Sequence, residues 1–436
     1  MNLIESIEYL NSFINYERND AFAYPEAFKL DRMRLLAKEL GNPQKYFDSV
    51  IIAGSKGKGS TAAYLSSILR MENYRVGLYT SPHLVDLGER IRVNGQMLGP
   101  QKLVEYAHLI RKTLDDNQWR KDPPTYFEVM TAIAFRHFRE TKVQLAVLEV
   151  GLGGLYDSTN IVEAKAVGLA PISLEHTDKL GKTVAKIAVQ KCGVIKGREA
   201  VVSAPQIDEA AAVIRKTVES RDASLLEVGR DIRVTEREYG ENFQRFDLRA
   251  PFGNYFGLET RLLGQHQLNN AAVAVGLAKS LEKKTRVVIS ETAIKHGVLD
   301  TAWPGRLEKL SEHPLVVADG AHNPASIRTA LEGLSRHFHY NRLFTVLALS
   351  KDKDHEGILA ELATVSERFV MTRSENPRAQ DPELLARAAR ALGKEAVTDT
   401  DPRSALGKAR AAAGPDDLIF VTGSLFLVGD LKAAAV

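Results

Sequence analysis

The stretch "IIAGSKGKGSTAAYLSSILRMENYRVGLYTSPH", Ile51 to His83, decides the reading of the chain. An apolar, β-branched run leads into Gly54, Gly57 and Gly59 with two lysines among them, and an amphipathic stretch opens at Ser60. Strand, glycine-rich turn and helix in that order make a cradle for phosphate. Glycines let backbone N–H groups turn inward on an anion, and the following helix aims its positive end at the same charge. Gly54, Ser55, Lys56, Gly57, Lys58, Gly59, Ser60 and Thr61 fit a shortened phosphate loop. There Lys58 would meet the β- and γ-phosphates and Ser60 or Thr61 would reach Mg²⁺. The competing reading is a βα turn that binds nothing, but the flanking strand and helix are what nucleotide binding requires. Lys56 is read as a solvated cation within reach of phosphate.

Outward from this loop, short apolar runs alternate with helical stretches, the pattern of an α/β fold with a largely parallel sheet. "DSVIIAG", "YRVGLYTS", "VQLAVLEVG", "AVGLAPISL" and "EAVVSA" read as strands, and "TYFEVMTAIAFRHFRE" as a helix between them. "VTEREYGENFQRFDLRAPFGNYFGLETRLLG" alternates polar and apolar residues and reads as antiparallel strands, followed by the helix "HQLNNAAVAVGLAKSLEKK". Near "HGVLDTAWPGR" the pattern restarts with "LVVADGAHN", "RLFTVLALS", "RFVMTRSEN" and "DLIFVTGS". The expectation is therefore two units, residues 1–299 and 300–436, each α/β. A chain of 436 residues suits this, since single cores stop growing at roughly 250–300 residues.

Composition excludes several classes. Fifty-eight Lys+Arg against fifty-five Asp+Glu leave +3, so no global basic field argues for nucleic acid. A single cysteine, Cys192, permits no internal disulfide and no Cys cluster for zinc, which suits a reducing cytoplasm. The N-terminus lacks the basic region of a signal peptide, and no uncharged apolar stretch reaches membrane-spanning length.

The polar residues gather at one place in the pattern. The 54–61 loop, Thr80–Ser81–His83, Glu149 and Glu175–His176 each fall just beyond the carboxyl end of an expected strand, the edge where open parallel sheets bind ligands. Asp319 and His322, residues 350–354 and Ser424 repeat the arrangement in the second unit, so two such edges facing one another would make a cleft. Glu149 ends an apolar strand, where an unpaired carboxylate is costly, so Mg²⁺ or a structural salt bridge is required. Asp157 and Asn160 line the same loop or cap the next turn. His176 at a strand end is a ligand or a hydrogen-bonded structural residue. Lys191, set in an apolar helix, reads by itself as a snorkelling lysine. Gln267 and Asn270 lie one helical turn apart, suited to a purine edge or to a helix cap. Arg306 after a Pro-Gly turn is a linker residue or an arginine brought to developing phosphoryl charge. In "DGAHNP", Asp319, His322 and Asn323 are close enough to act together.

These segments, together with "GLYTSPHLVDLGERIRVNG", "YFEVMTAIAF", "LAVLEVGLGGLYDSTN", "EHTDKLGKTVAKIAVQKCGVIK", "GQHQLNNAA" and "WPGRLE", stand in an order that resembles the folylpolyglutamate synthase/dihydrofolate synthase family of the Mur ligase superfamily. The likeness runs from "LDRMRLLAKELGNPQ" to "VTGSLFLVGDL". It implies an N-terminal P-loop-type ATPase domain and a smaller Rossmann-like C-terminal domain. It further implies ATP and Mg²⁺ as cofactors, and an amide bond formed through an acyl phosphate between L-glutamate and dihydropteroate or a reduced folate. A monomer is the family's default, and the composition points to the cytoplasm. On the resemblance, Lys58 and the loop hold the phosphates. Ser60, Ser81, Glu149 and His176 hold the metal. Gln267 and Asn270 contact nucleotide, and Arg306, Asp319 and His322 serve nucleotide and glutamate between the domains. Lys191 becomes a site residue open to carbamylation, Phe127 and Asp157 fall near the pterin pocket, and Ser424 near glutamate.

The chain departs from the pattern at Lys56, where Asn is common, at Leu155–Tyr156, where Arg-Leu is common, and at Glu175, where Asp often precedes the histidine. A bifunctional enzyme is expected from the overall pattern and the Tyr-Phe-Glu segment at 126–128. The rivals are another Mur-type ligase and a non-catalytic ATP-binding protein. The first usually carries a UDP-binding domain of about 100 residues ahead of the loop, more than the chain has room for there. The second predicts ATP binding without glutamate-dependent ADP release.

Overall fold

A computed structural model describes residues 1–16, 30–115, 119 and 121–433. The larger lobe is built on an eight-stranded sheet. Its strands are β1 (Asp48–Ala53), β2 (Val76–Tyr79), β3 (Ile91–Val93), β4 (Gln96–Met97), β5 (Leu145–Glu149), β6 (Ala164–Leu169), β7 (Ala200–Ser203) and β8 (Ser224–Glu227). They run in the order β4-β3-β2-β5-β1-β6-β7-β8. β2 to β8 pair in parallel through β5 and β1, and β3 and β4 add an antiparallel edge.

The near-continuous apolar run of β1 follows from burial on both faces. Ile51 and Ala53 enter one core, with Tyr79, Phe135 and Leu148, while Val50 and Ile52 enter another, with Leu65, Leu268 and Leu277. A three-stranded antiparallel sheet, β9 (Arg233–Tyr239), β10 (Gln244–Ala250) and β11 (Gly253–Thr260), stands apart from the large sheet. The expected antiparallel strands are there, but as a sheet of their own.

The smaller lobe carries six strands: β12 (Glu308–Glu312), β13 (Leu315–Ala318), β14 (Leu343–Leu347), β15 (Ser366–Met371), β16 (Glu395–Thr398) and β17 (Leu418–Thr422). Their order is β12-β13-β17-β14-β15-β16, with only the β12–β13 pair antiparallel. β14 again splits its side chains, Leu343 and Leu347 to one core and Phe344 and Val346 to the other. The fold is thus two α/β lobes, as the alternation of strands and helices predicts.

Two strand orders place the site. In the large sheet β2, β5, β1 and β6 are adjacent, so the segments after them emerge side by side. In the small sheet β13, β17 and β14 are adjacent in the same way. Among the described residues no helix is long and apolar enough to cross a membrane.

Candidate active site

The loop 54–57 joins β1 to the helix Lys58–Met71, whose N-cap, Gly57, has φ +83°. A Cβ on Gly57 would lie 2.5 Å from Asn270 Oδ1, and one on Gly54 2.7 Å from Ala170 Cβ. Only glycine therefore lets the turn form against its neighbours. Ser55 pins the loop to the next crossover, its N–H donating to Pro171 O at 2.8 Å and its hydroxyl to Ser173 O at 3.1 Å. Lys58 folds back over the loop, Nζ donating to Gly54 O at 3.2 Å and Ser55 O at 3.3 Å. Ser60 and Thr61 are buried at the first helical turn. The helix Gln265–Lys284 packs beside this one, and there Asn270 Nδ2 donates to Gln267 Oε1 at 3.0 Å. The buried amide pair lies against the phosphate loop.

Lys191 is no snorkelling residue. It is 2 % exposed, and its ammonium donates to Gly54 O at 2.8 Å and Glu175 Oε1 at 2.9 Å. Burial lowers its pKa to about 8 in spite of Glu175. Burial alone would raise the Glu175 carboxyl, but Lys191, Lys58 and Lys56 together hold it well below the usual carboxylate range. Lys56 Nζ stands 3.8 Å from Glu175 Oε2 and 3.3 Å from His322 Nε2 of the other lobe, its pKa lowered by burial to about 8. His322 Nδ1 meets Gly320 O at 2.8 Å. With a carbonyl on Nδ1 and an ammonium on Nε2, the partners assign the neutral Nδ1–H tautomer. Burial, then the field of Lys56, push this histidine down to about 3.

Glu149, at the end of β5, is buried, and its Oε2 accepts from Ser81 N–H at 3.1 Å. Burial raises its pKa against the pull of Lys58, Arg306 and Arg90. His176 takes φ +46° ahead of the short helix Thr177–Leu180, and its side chain is exposed beside Glu175. Asp319 accepts from Leu307 N–H at 2.9 Å and Ala321 N–H at 2.8 Å, fixing the turn that carries Arg306. Its pKa is raised by burial, opposed by Arg306. Gly59, Ser81, Glu149, Arg306 and Leu425 line one cavity between the lobes. The arrangement is a ring of cations around a buried carboxylate, suited to a polyphosphate and a metal ion.

The Mur ligase middle domain matches residues 52–278, and the Mur ligase, glutamate ligase domain matches residues 305–425. The chain is 33 % identical over 407 residues to the Bacillus subtilis dihydrofolate synthase/folylpolyglutamate synthase, covering 92 % of this chain and 94 % of that one. The chain belongs to the dihydrofolate synthase/folylpolyglutamate synthase family. Among solved structures it is similar to a Mycobacterium tuberculosis folylpolyglutamate synthase complexed with ADP, with TM-score 0.90, 32 % identity and coverage of 99 % and 98 %. It is also similar to Escherichia coli FolC in complex with DHPP and ADP, with TM-score 0.87, 28 % identity and coverage of 100 % and 98 %. The family is one of ATP-dependent ligases.

Not every residue placed at the site by family likeness presents itself to a ligand. Asp157 caps the turn that follows, as one of its two sequence readings has it. Its Oδ2 accepts from the N–H groups of Gly151 and Leu152, both at 3.0 Å, and its Oδ1 from Thr159 N–H at 3.0 Å and Thr159 Oγ1 at 2.6 Å. The carboxylate shapes the loop after Glu149. Asp157→Ala is expected to lower stability by about 3 kcal/mol, read in urea unfolding, because buried donors are left unpaired.

Glu128 is likewise committed, to the capping box of the helix Tyr126–Glu140 and to Arg32 Nε at 2.8 Å. Tyr126 is buried under the Arg90 guanidinium, 5.4 Å from its ring. Phe127 packs on the loop after Glu149, its ring 2.6 Å from where a Gly151 Cβ would stand. Ser424 is buried, and its Oγ accepts from Phe426 N–H at 3.2 Å in the helix that follows β17.

Lys353 was not singled out from the sequence, yet its charge acts on Lys56, His176 and His322. Its signal is "SKDKD" directly after β14, at an edge already recognised. Arg90 was also missed. It is 2 % exposed, and its Nε donates to His83 Nδ1 at 2.8 Å beside the Ser81 loop. An arginine in "GERIRVNG" carries no mark of burial.

The lysine cluster gives a pH signature. Folded-state Lys191 titrates near 8, below the ordinary 10.5, so above pH 8 the unfolded chain binds more protons. Stability from this group therefore rises as pH goes from about 8 to about 10. Lys191→Met is expected to flatten that rise in thermal melts of the unliganded protein.

Proposed function

We propose that this chain is an ATP-dependent ligase that joins L-glutamate to dihydropteroate and to reduced folates, through an acyl phosphate. The observation that carries this reading is the gathering of cations at the facing edges of two sheets, Lys58 and Arg306 acting on buried Glu149 and Lys191, Lys58 and Lys56 on Glu175. A carboxylate does not condense with an amine at neutral pH, because oxide would have to leave. Attack of a carboxylate oxygen on the γ-phosphorus, with ADP departing, creates an anhydride. The glutamate nitrogen then forms the C–N bond, and phosphate leaves with the electrons of the C–O bond. Lys58 and Arg306 offset the charge that builds on the transferred group. Lys56 and Lys353 extend the same field to the side where His322 lies.

Mg²⁺ is assigned to Ser60, Ser81, Glu149 and His176. The buried Glu149 carboxylate fits a hard cation that takes one or two carboxylates and fills its shell with phosphate oxygens and water. Among the described residues no three His, Cys, Asp or Glu side chains gather at one metal, which suits that mode better than a protein cage. The ion, when bound, supplies charge neutralisation at the phosphates. Gln267 and Asn270 are assigned to nucleotide, Arg306 and Asp319 to the nucleotide between the lobes, and His322 and Ser424 to the glutamate side. The depressed pKa of Lys191 supports carbamylation, which needs the neutral amine.

The lobes are assigned as residues 1–299 and 300–436, in a cytoplasmic monomer. Bifunctionality rests on the family's name for its members, since Glu128 and Tyr126 are structural. ADP release measured with dihydropteroate, and separately with tetrahydrofolate, each with L-glutamate and Mg²⁺, tests the reading. Turnover with both is expected. Turnover with one alone overturns the bifunctional reading, and turnover with neither overturns the ligase.

A further inference from the structure

Trp303 stands on the segment that joins the helix Glu291–Leu299 to β12, and its indole rests on Gly59. A Cβ built on Gly59 would meet Trp303 Cζ2 at 2.9 Å and both Cε2 and Nε1 at 3.1 Å. Gly59 lies inside the first turn of the helix Lys58–Met71, between Lys58 and Ser60, in ordinary helical backbone. The backbone there does not call for glycine, and alanine is the better helix former. What excludes a side chain at position 59 is the indole.

Trp303 is held from both sides. The Arg92 guanidinium stands 5.7 Å from its ring centroid, a cation–π distance, and Glu89 pairs with Arg92 at 3.8 Å. Downstream, Gly305 N–H donates to Glu308 Oε2 at 2.8 Å, Gly320 N–H to Gly305 O at 3.0 Å, and Leu307 N–H to Asp319 Oδ2 at 2.9 Å. The stretch from Gly305 to Leu307 is therefore tied to the smaller lobe, and Arg306 rides on it. Trp303 and Arg306 both line the cavity that holds Gly59, Ser81 and Glu149.

We propose that Trp303 is a positioning residue for phosphoryl transfer, its indole seated in the notch left by Gly59 so that the first turn after the phosphate loop and the Arg306 segment move as one. This rests on the reading of residues 54–61 as the ATP loop. Nucleotide arriving at Lys58 and Ser60 must then be felt by the indole packed between them. A tryptophan that only fills the core would keep its surroundings when ATP binds, and its loss would change stability without coupling to position 59.

The chain has two tryptophans. The other, Trp119, is buried, with Nε1 donating to Glu39 at 3.2 Å. In full-length Trp119→Phe, ADP is expected to shift the Trp303 emission along the same isotherm that calorimetry gives for ADP binding to the unaltered protein. Separately, Gly59→Ala is expected to lower kcat by roughly tenfold to a hundredfold, because the methyl displaces the indole. Trp303→Leu is expected to lower kcat with a smaller change in KM for the folate, and Gly59→Ala/Trp303→Leu to be more active than Gly59→Ala alone. Emission indifferent to ADP at concentrations where calorimetry shows binding overturns the proposal, as do losses that multiply in the double variant. Absence of ADP binding to the unaltered protein overturns the ATP reading, and this inference with it.

Discussion

Lys58→Ala is expected to lower kcat/KM for ATP by about 10³-fold while leaving the melting temperature within a few degrees of the parent. The two halves of that expectation have separate causes. Lys58 Nζ makes its bonds to Gly54 O and Ser55 O, carbonyls of its own loop, and no apolar cluster depends on it. Its removal vacates little packing. During transfer, however, the γ-phosphoryl group passes negative charge toward ADP, and Lys58 is the cation that the loop itself supplies. Lys191 cannot take over, because it is locked between Gly54 O and Glu175. Steady-state ADP release and a thermal melt check both halves. A loss smaller than tenfold would move the phosphate away from this loop.

Glu149→Gln is expected to separate activity from stability in the opposite sense. Turnover should fall by about 10²- to 10³-fold, since an amide offers a cation no charge. The unliganded fold should melt higher. The carboxyl's folded pKa is raised by burial, so the folded state binds the proton more tightly than the unfolded chain does. Stability from this group is present at low pH and lost as pH rises through the folded pKa, leaving a cost at neutral pH that the amide removes. The amide oxygen still accepts from Ser81 N–H, so the geometry of that loop survives. Thermal melts with and without Mg²⁺ and ADP read the result, and a variant that melts lower than the parent contradicts the account of Glu149.

The contrast between Lys58 and Lys191 shows what a sequence carries. The phosphate loop was readable because everything it needs is local: β1, the glycines and the helix lie within a span of 24 residues, 48 to 71. The two sheet edges were readable because strand ends are marked by a switch from apolar to polar residues, and the adjacency of β2, β5, β1 and β6 then gathers those ends. Lys191 was ambiguous, since its partner Gly54 O lies 137 residues away and an apolar helix with one lysine has the same pattern whether the lysine is buried or snorkels. Only the family likeness raised it. Arg90 and Lys353 failed for the same reason, being charges whose meaning is set by distant neighbours. Asp157 was legible as a cap. "DST" is a local capping pattern, and the aspartate is consumed by Thr159 and the turn it forms. The short strands β3, β4, β8, β12 and β16 escaped notice because two to five residues carry too little alternation to register.

Carboxylate activation in the cleft is the claim on which the rest depends, and isotope transfer tests it most directly. Dihydropteroate labelled with ¹⁸O in its reacting carboxylate, incubated with ATP, L-glutamate, Mg²⁺ and the full chain, should yield inorganic phosphate carrying one ¹⁸O atom for each amide bond formed. Phosphate released without the label, alongside amide product, would show that the carboxylate oxygen never bonded to phosphorus.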